Sequence, residues 1–334
     1  MASDKHVHTN RRKVRLGVAA TALAAAIPAT VRGQQKYPTK PVKVIVPFPP
    51  GGNADSTARI FTEALSAQLG QPFVVENKGG AGGMIGAAAA LKSEAGGYTL
   101  LCATPGPLLS AWQLAGKSAT YGLADMRPVA MLTLVPNVLV VSESSPVRSF
   151  SDLVSLAKSR PKDLKCGHPG NGTTGHVNIL QLQRQLNTEF IIAAYKGGGP
   201  VIQDLLAGQL DLVATDLPSA QGVIKAGRLR AIAVISGQRA PSLPDVPTTA
   251  EAKAPEIDAS NFTAIVGPKN MPPEAALRIA EAVGVALGNA ATRKRIDDLG
   301  SIPAQMSTAE FERFLAQQSA VYASLIQSGL LRAQ

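Results

Sequence analysis

Cysteine is scarce in this chain, which has only Cys102 and Cys166 in 334 residues. Two thiols cannot form the disulfide framework of a small secreted scaffold. Each lies at the end of an apolar run (98–103 and 164–166), where an unpaired cysteine serves as a small buried residue. Aromatic residues make up 4% and none is interleaved with a basic run, which argues against a stacking platform for single-stranded nucleic acid. Charged residues are held to 17% against 45% apolar, with no long polar block, so the chain has the material for packed cores and disorder is excluded. Histidine is almost missing as well: beyond residue 33 only His168 and His176 remain. There is no Gly-x-Ser-x-Gly elbow and no paired-carboxylate motif, and Cys166-x-His168 is too sparse for zinc, which takes three or four ligands. The expectation is a protein that is not an enzyme, with no metal and no cofactor.

What is present starts with a basic N-terminus. The formal net charge is +10, but residues 1–33 hold six basic groups and one acidic group, so the remainder carries 27 basic against 22 acidic residues, an ordinary balance. No nucleic-acid partner is implied. Arg11-Arg12-Lys13-Val14-Arg15 followed by a 16-residue, Ala-rich apolar run (16–31) and Val31-Arg32-Gly33 reads as an export signal. The run is too short to span a bilayer, which takes ~20 residues. The arginine pair leaves a twin-arginine route open beside the general one. The mature chain is expected to begin near Gln34, outside the cytoplasm.

Beyond Gln34 the pattern alternates strand, Gly-rich turn and helix. β-Branched 42–48, helical periodicity over 55–69, then 73–76, 84–92 and 98–103 give βαβαβ, the signature of a parallel sheet covered by helices. A second such series runs through 149–159, 164–167, 174–186, 189–195, 200–207, 210–215, 219–226 and 229–235, with Ser149 or Ser151 as cap of its first helix. Apolar runs at 135–141 and 259–266 flank it, and the C-terminal part is helical (273–287, 290–299, 308–326). The expected fold is α/β with two lobes, each a mainly parallel sheet flanked by helices. If the tail packs on the first lobe, the chain crosses twice: lobe 1 is 34–140 with 262–334, lobe 2 is 141–261, and a cleft lies between them.

Gly170-Asn171-Gly172-Thr173-Thr174-Gly175 fits G-x-G-x-x-G between a strand and a helix. A dinucleotide site also needs an acid at the end of the next strand, and that strand ends Ala193-Ala194-Tyr195-Lys196. What survives is an anion site at a helix N-terminus, where free N–H groups and the helix dipole favour negative charge. Phe48-Pro49-Pro50-Gly51-Gly52-Asn53 is the matching strand-to-helix turn of the first lobe. Two such ends facing one cleft suit a ligand with two carboxylates, although ordinary βα turns hold glycine too. Tyr195-Lys196-Gly197-Gly198-Gly199 is a third strand-end loop on the cleft side, and Asp216 either touches a ligand or caps the next helix. His176 reads as structural, and His168 is open between facing the cleft and packing inside.

Several blocks in register resemble the Bug family of extracytoplasmic solute receptors, the binding components of tripartite tricarboxylate transporters. They are Tyr37-Pro38-Thr39-Lys40-Pro41 through Gly51-Gly52, Val75-Glu76-Asn77-Lys78-Gly79-Gly80-Ala81-Gly82-Gly83, Gly97-Tyr98-Thr99-Leu100-Leu101, Tyr195-Lys196-Gly197 and Leu243-Pro244-Asp245-Val246-Pro247-Thr248. The resemblance implies a two-lobed periplasmic binding protein, expected as a monomer, that closes on a small organic acid and hands it to membrane permease subunits. The ligand site would be Phe48 to Asn53 and Gly170 to Thr173, with Thr104 carried over from the family pattern. A sensory protein of the same fold, acting on a membrane sensor, is the alternative. Ala54, His168-Pro169 and Thr215-Asp216-Leu217 depart from the usual pattern and leave the substrate open.

Overall fold

The computed structural model describes residues 37–332 except 256, 258 and 260; the expected export signal and the start at Gln34 lie outside the described residues. In chain order the first part runs β1 (Val42–Val46), α1 (Asn53–Leu69), β2 (Phe73–Asn77), α2 (Met84–Leu91), β3 (Thr99–Ala103), α3 (Ala111–Ala115) and β4 (Met126–Leu134). Then come β5 (Asn137–Ser142), α4 (Phe150–Ser159), β6 (Lys165–His168), α5 (Thr174–Leu186), β7 (Ile191–Ala194), α6 (Gly198–Leu206), β8 (Leu212–Asp216), α7 (Leu217–Lys225) and β9 (Leu229–Ile235). β10 (Phe262–Pro268), α8 (Pro273–Gly288), α9 (Ala290–Asp298), β11 (Ile302–Pro303) and α10 (Thr308–Gln327) complete the order.

The sequence of β1, Val-Lys-Val-Ile-Val, shows why helices cover both faces of its sheet. Val42, Val44 and Val46 pack in one core with Phe61 and Leu65 of α1 and Ile279 of α8, whereas Ile45 points the other way, into a core with Ala87 and Ala90 of α2 and Phe311 and Leu315 of α10. Successive strand residues alternate faces, so a strand apolar at nearly every position must be buried on both. The second sheet repeats the device. Leu139 and Val141 of β5 join Leu153 of α4 and Leu182 of α5, while Val138 and Val140 join Val201 and Leu205 of α6 and Ala220 of α7. Both cysteines are free and buried in these cores.

The strand orders are β11-β4-β10-β3-β1-β2 and β7-β6-β8-β5-β9. The sequence predicts mainly parallel sheets, and each sheet is mixed. Its parallel part, β2-β1-β3 or β7-β6-β8, comes from the βαβ units. The antiparallel part arises because β5 and β10, the first strands laid down after the chain passes from one sheet to the other, are inserted against the local direction. The outward passage is the dipeptide Val135-Pro136 and the return covers 236–261. The two are tied together: Val135 N–H donates to Asn261 O at 2.9 Å, and Asn137 Nδ2 donates to Ala259 O at 3.0 Å. β4 was hidden in the sequence by Pro128. That proline is tolerated because β11 covers only Thr133 and Leu134, so the rest of β4 is an open edge. Among the described residues, no helix is long and apolar enough to cross a membrane.

Candidate functional site

Strand ends and helix starts of both sheets converge on one narrow cavity. Its wall is formed by Phe48, Pro49, Pro50, Gly52, Asn53 and Ala54 between β1 and α1, Thr104 after β3, Pro169, Thr173 and Thr174 between β6 and α5, Gly197 to Pro200 at the start of α6, Asp216 and Ser219 at the start of α7, and Asn261 on the returning passage. Binding at the carboxyl ends of strands is the rule for open α/β sheets. Four helices therefore begin at this cavity, and they differ in what their first N–H groups already hold.

At α1 the N-cap is Gly52, which has no side chain to cap with, and Ser56 N–H is the first to find an intrahelical partner, at Gly52 O. The N–H groups of the opening residues, beginning with Asn53, have no partner inside the helix. Gly51 is used otherwise: its φ of 89° turns the chain, and its N–H donates to Asp55 Oδ2 at 3.0 Å. Asp55 is buried and also accepts from Arg59 Nε (3.0 Å) and Asn77 Nδ2 (2.9 Å). Burial pushes its carboxyl up, but the bonds from Arg59, Gly51 and Asn77 outweigh burial and hold it below the ordinary range. Asp55 thus locks the glycine turn to α1 and to the end of β2. The available signal for this residue is an acid in a first helical turn four positions before an arginine. The side chain of Asn53 faces inward, with Nδ2 donating to Thr263 Oγ1 and Oδ1 accepting from Thr57 Oγ1, so the residue offers the cavity its backbone.

α6 is equally open. Gly197, at φ 126°, is its N-cap without a side-chain bond, Gly198 and Gly199 follow, and Pro200 has no N–H to satisfy. The glycine loop 170–172 and α5 are held differently. Thr173 caps α5, its Oγ1 accepting from His176 N and donating to Gly170 O at 2.7 Å. The Nδ1 atom of His176 accepts from Gly172 N at 3.2 Å, and that of His168 lies 3.2 Å from Gly170 N and 2.9 Å from Gly170 O. The two rings stack with centroids 4.3 Å apart. Both histidines are therefore buried props of the loop, which decides the open reading of His168. Burial, with the neighbouring His176 ring, drives His168 down to about 3, and burial drives His176 down to about 4. At α7, Asp216 Oδ1 accepts from Ser219 N at 2.9 Å, Leu217 N–H donates to Pro136 O, and position 218 is proline. Asp216 both caps its helix and lines the cavity.

The predicted residues consequently separate into groups. Phe48, Pro49, Pro50, Gly52, Asn53, Thr104, Thr173 and Asp216 line the cavity. Gly170, Asn171, Tyr195 and Lys196 line an adjoining groove that also runs past Phe48, Pro49 and the 79–84 loop. The Tyr195 hydroxyl is engaged there with Asp204 Oδ2 at 2.6 Å. Gly51 and Gly172 shape their loops, Gly172 facing the first sheet's side, where Ser110 Oγ donates to its carbonyl at 2.6 Å. The sequence reading set the Gly197–Gly199 turn on the cleft side, and these glycines do line the cavity; Asn261 was missed. Nothing local marks Asn261.

A model described as tripartite tricarboxylate transporter family receptor matches residues 57–330. The chain belongs to this receptor family. Within it, the chain is 33% identical to protein BugT of Bordetella pertussis over 311 residues, 93% of this chain and 94% of that one. Among solved structures, it is similar to an R. palustris protein with adipate at TM-score 0.84 and 32% identity, covering 87% of this chain and 97% of that one. It is also similar to the periplasmic binding protein BugD at TM-score 0.83 and 26% identity, covering 89% and 100%. The receptor family thus matches the resemblance read from the sequence, and the fold is that of two-lobed periplasmic binding proteins.

Proposed function

We propose that this protein is an exported receptor that captures a small carboxylate between two lobes and passes it to the membrane permease of a tripartite transporter; the expected boundary at 140/141 moves to Val135-Pro136, because β5 (137–142) pairs in the second sheet. It acts as a monomer in the periplasm after removal of its N-terminal signal. The observation that carries this reading is the pair of helix starts without side-chain caps, α1 at Gly52 and α6 at Gly197, opening on one cavity from the two sheets. Both starts direct backbone N–H groups and the positive end of a helix dipole at the same space. Adipate in a relative at 32% identity supports a carboxylate as the class of ligand.

A charge-assisted bond from backbone N–H to carboxylate nets about 1.5–3 kcal/mol. Roughly four of them supply about 6–12 kcal/mol, from which the cost of immobilising ligand and lobes is subtracted. The test is a thermal-shift titration of the purified protein against mono-, di- and tricarboxylates, aromatic acids and amino acids. At 100 times the dissociation constant a bound acid adds about 2.7 kcal/mol, a shift of several degrees. Folded, ligand-free protein that no acid stabilises would refute the proposal.

A further inference from the structure

The cavity holds an acceptor that nothing in the protein satisfies. Ala259 O can only accept, so Asn137 Nδ2 must be the donor to it, which fixes the orientation of that amide. Asn137 Oδ1 then accepts from Thr174 Oγ1 at 3.2 Å and from Asn261 Nδ2 at 3.1 Å. This in turn fixes the amide of Asn261, a cavity-lining residue 7% exposed, with Oδ1 as an acceptor that has no partner. On the facing strand pair, Asp216 is the register partner of Asn137, and one of its oxygens is used by Ser219 N–H. Among the described residues lining the cavity, Asp216 is the only one whose side chain ionises; no lysine, arginine or histidine stands on the wall. A site meant for carboxylates alone would hold donors only. This one pairs helix starts, which supply donors, with an unpartnered amide oxygen and an acid that has donors from its own helix start but no cation on the wall.

We infer that the ligand carries an ammonium group beside its carboxylate, the carboxylate at the starts of α1 and α6 and the amine donating to Asp216 and Asn261. This rests on the receptor reading above and narrows its ligand to amino carboxylates. An uncompensated carboxylate in such a cavity is costly to ionise, and burial raises the Asp216 carboxyl above its ordinary range although the bond from Ser219 lowers it. A cation from the ligand would restore the charged form.

The experiment is calorimetric titration at pH 7 with acids paired so that only the amine differs: aspartate with succinate, glutamate with glutarate, phenylalanine with 3-phenylpropionate. The amino member of at least one pair is expected to bind ten- to a hundredfold more tightly than its counterpart. In Asp216→Asn, asparagine still caps α7, and the amino acid should fall to the affinity of its amine-free partner. If the amine-free acids bind as well as or better than the amino acids, the inference is wrong while the receptor reading stands. If no member of any pair binds folded protein, the inference falls, and the receptor reading is decided by the wider acid panel above. A carboxylate-only ligand bound through a protonated Asp216 would show itself by affinity for the amine-free acids that weakens as pH rises, and would also overturn the inference.

Discussion

Protonating either ring of the His168–His176 stack would place a cation in a buried site against a second imidazole, and for His176 it would put a proton on the nitrogen that Gly172 N–H now addresses. Both groups lie below their ordinary value, at about 3 and about 4 against 6.5. The unfolded chain therefore binds protons that the folded chain refuses. Stability is fully present above pH 6.5 and is lost as pH falls through the window between 6.5 and 3, by up to about 1.4 kcal/mol per pH unit for each histidine. In a molecule of this size that is a few degrees of melting temperature per pH unit. Melting curves from pH 7 to 4 should show this slope, and His176→Gln, which does not titrate, should flatten it; an unchanged slope would remove the pair from the account.

The start of α5 is fixed by a contact between helix and strand. A Cβ added at Gly175 would lie 2.3 Å from Ala214 O of β8 and 2.8 Å from Pro169 Cδ. Neither neighbour is a flexible side chain, so Gly175→Ala should displace the helix start, cost about 2 kcal/mol in denaturant unfolding and weaken ligand binding in calorimetry. Wild-type stability and affinity in that variant would show that the element can yield. The glycines of this loop were visible in the sequence because G-x-G-x-x-G stands between an apolar strand and a periodic helix. The same held for Phe48 to Asn53, where the βαβ pattern places the turn at a strand end. Asn261 was not legible: it belongs to an irregular passage and reaches the cavity through Asn137, 124 positions earlier. The antiparallel halves of the sheets were equally hidden, because strand direction after a passage between sheets depends on where the strand inserts, which periodicity does not encode.

At the scale of the whole molecule, the two sides of the cleft already meet. Ser110 Oγ donates to Gly172 O, a Cβ at Gly82 would come 2.9 Å from Asn171 O, and one at Gly197 would come 3.5 Å from Pro49 Cδ. These contacts tie the two sides together across the cavity, and a ligand held between the same elements is expected to favour them. Removing the Ser110 hydroxyl leaves the Gly172 carbonyl without its buried donor. Ser110→Ala is expected to lower affinity about three- to tenfold, read by calorimetry; unaltered affinity would mean that this bond does not contribute to binding.

Leu134 and Phe262 are register partners in the antiparallel β4–β10 pair. The chain thus leaves the first sheet and re-enters it at a single rung, and everything from 135 to 261 hangs between two adjacent strand ends. This is the topology of a guest inserted in a host. Replacing the guest by an Asn-Gly turn would convert β4 and β10 into a plain hairpin without breaking the host's continuity.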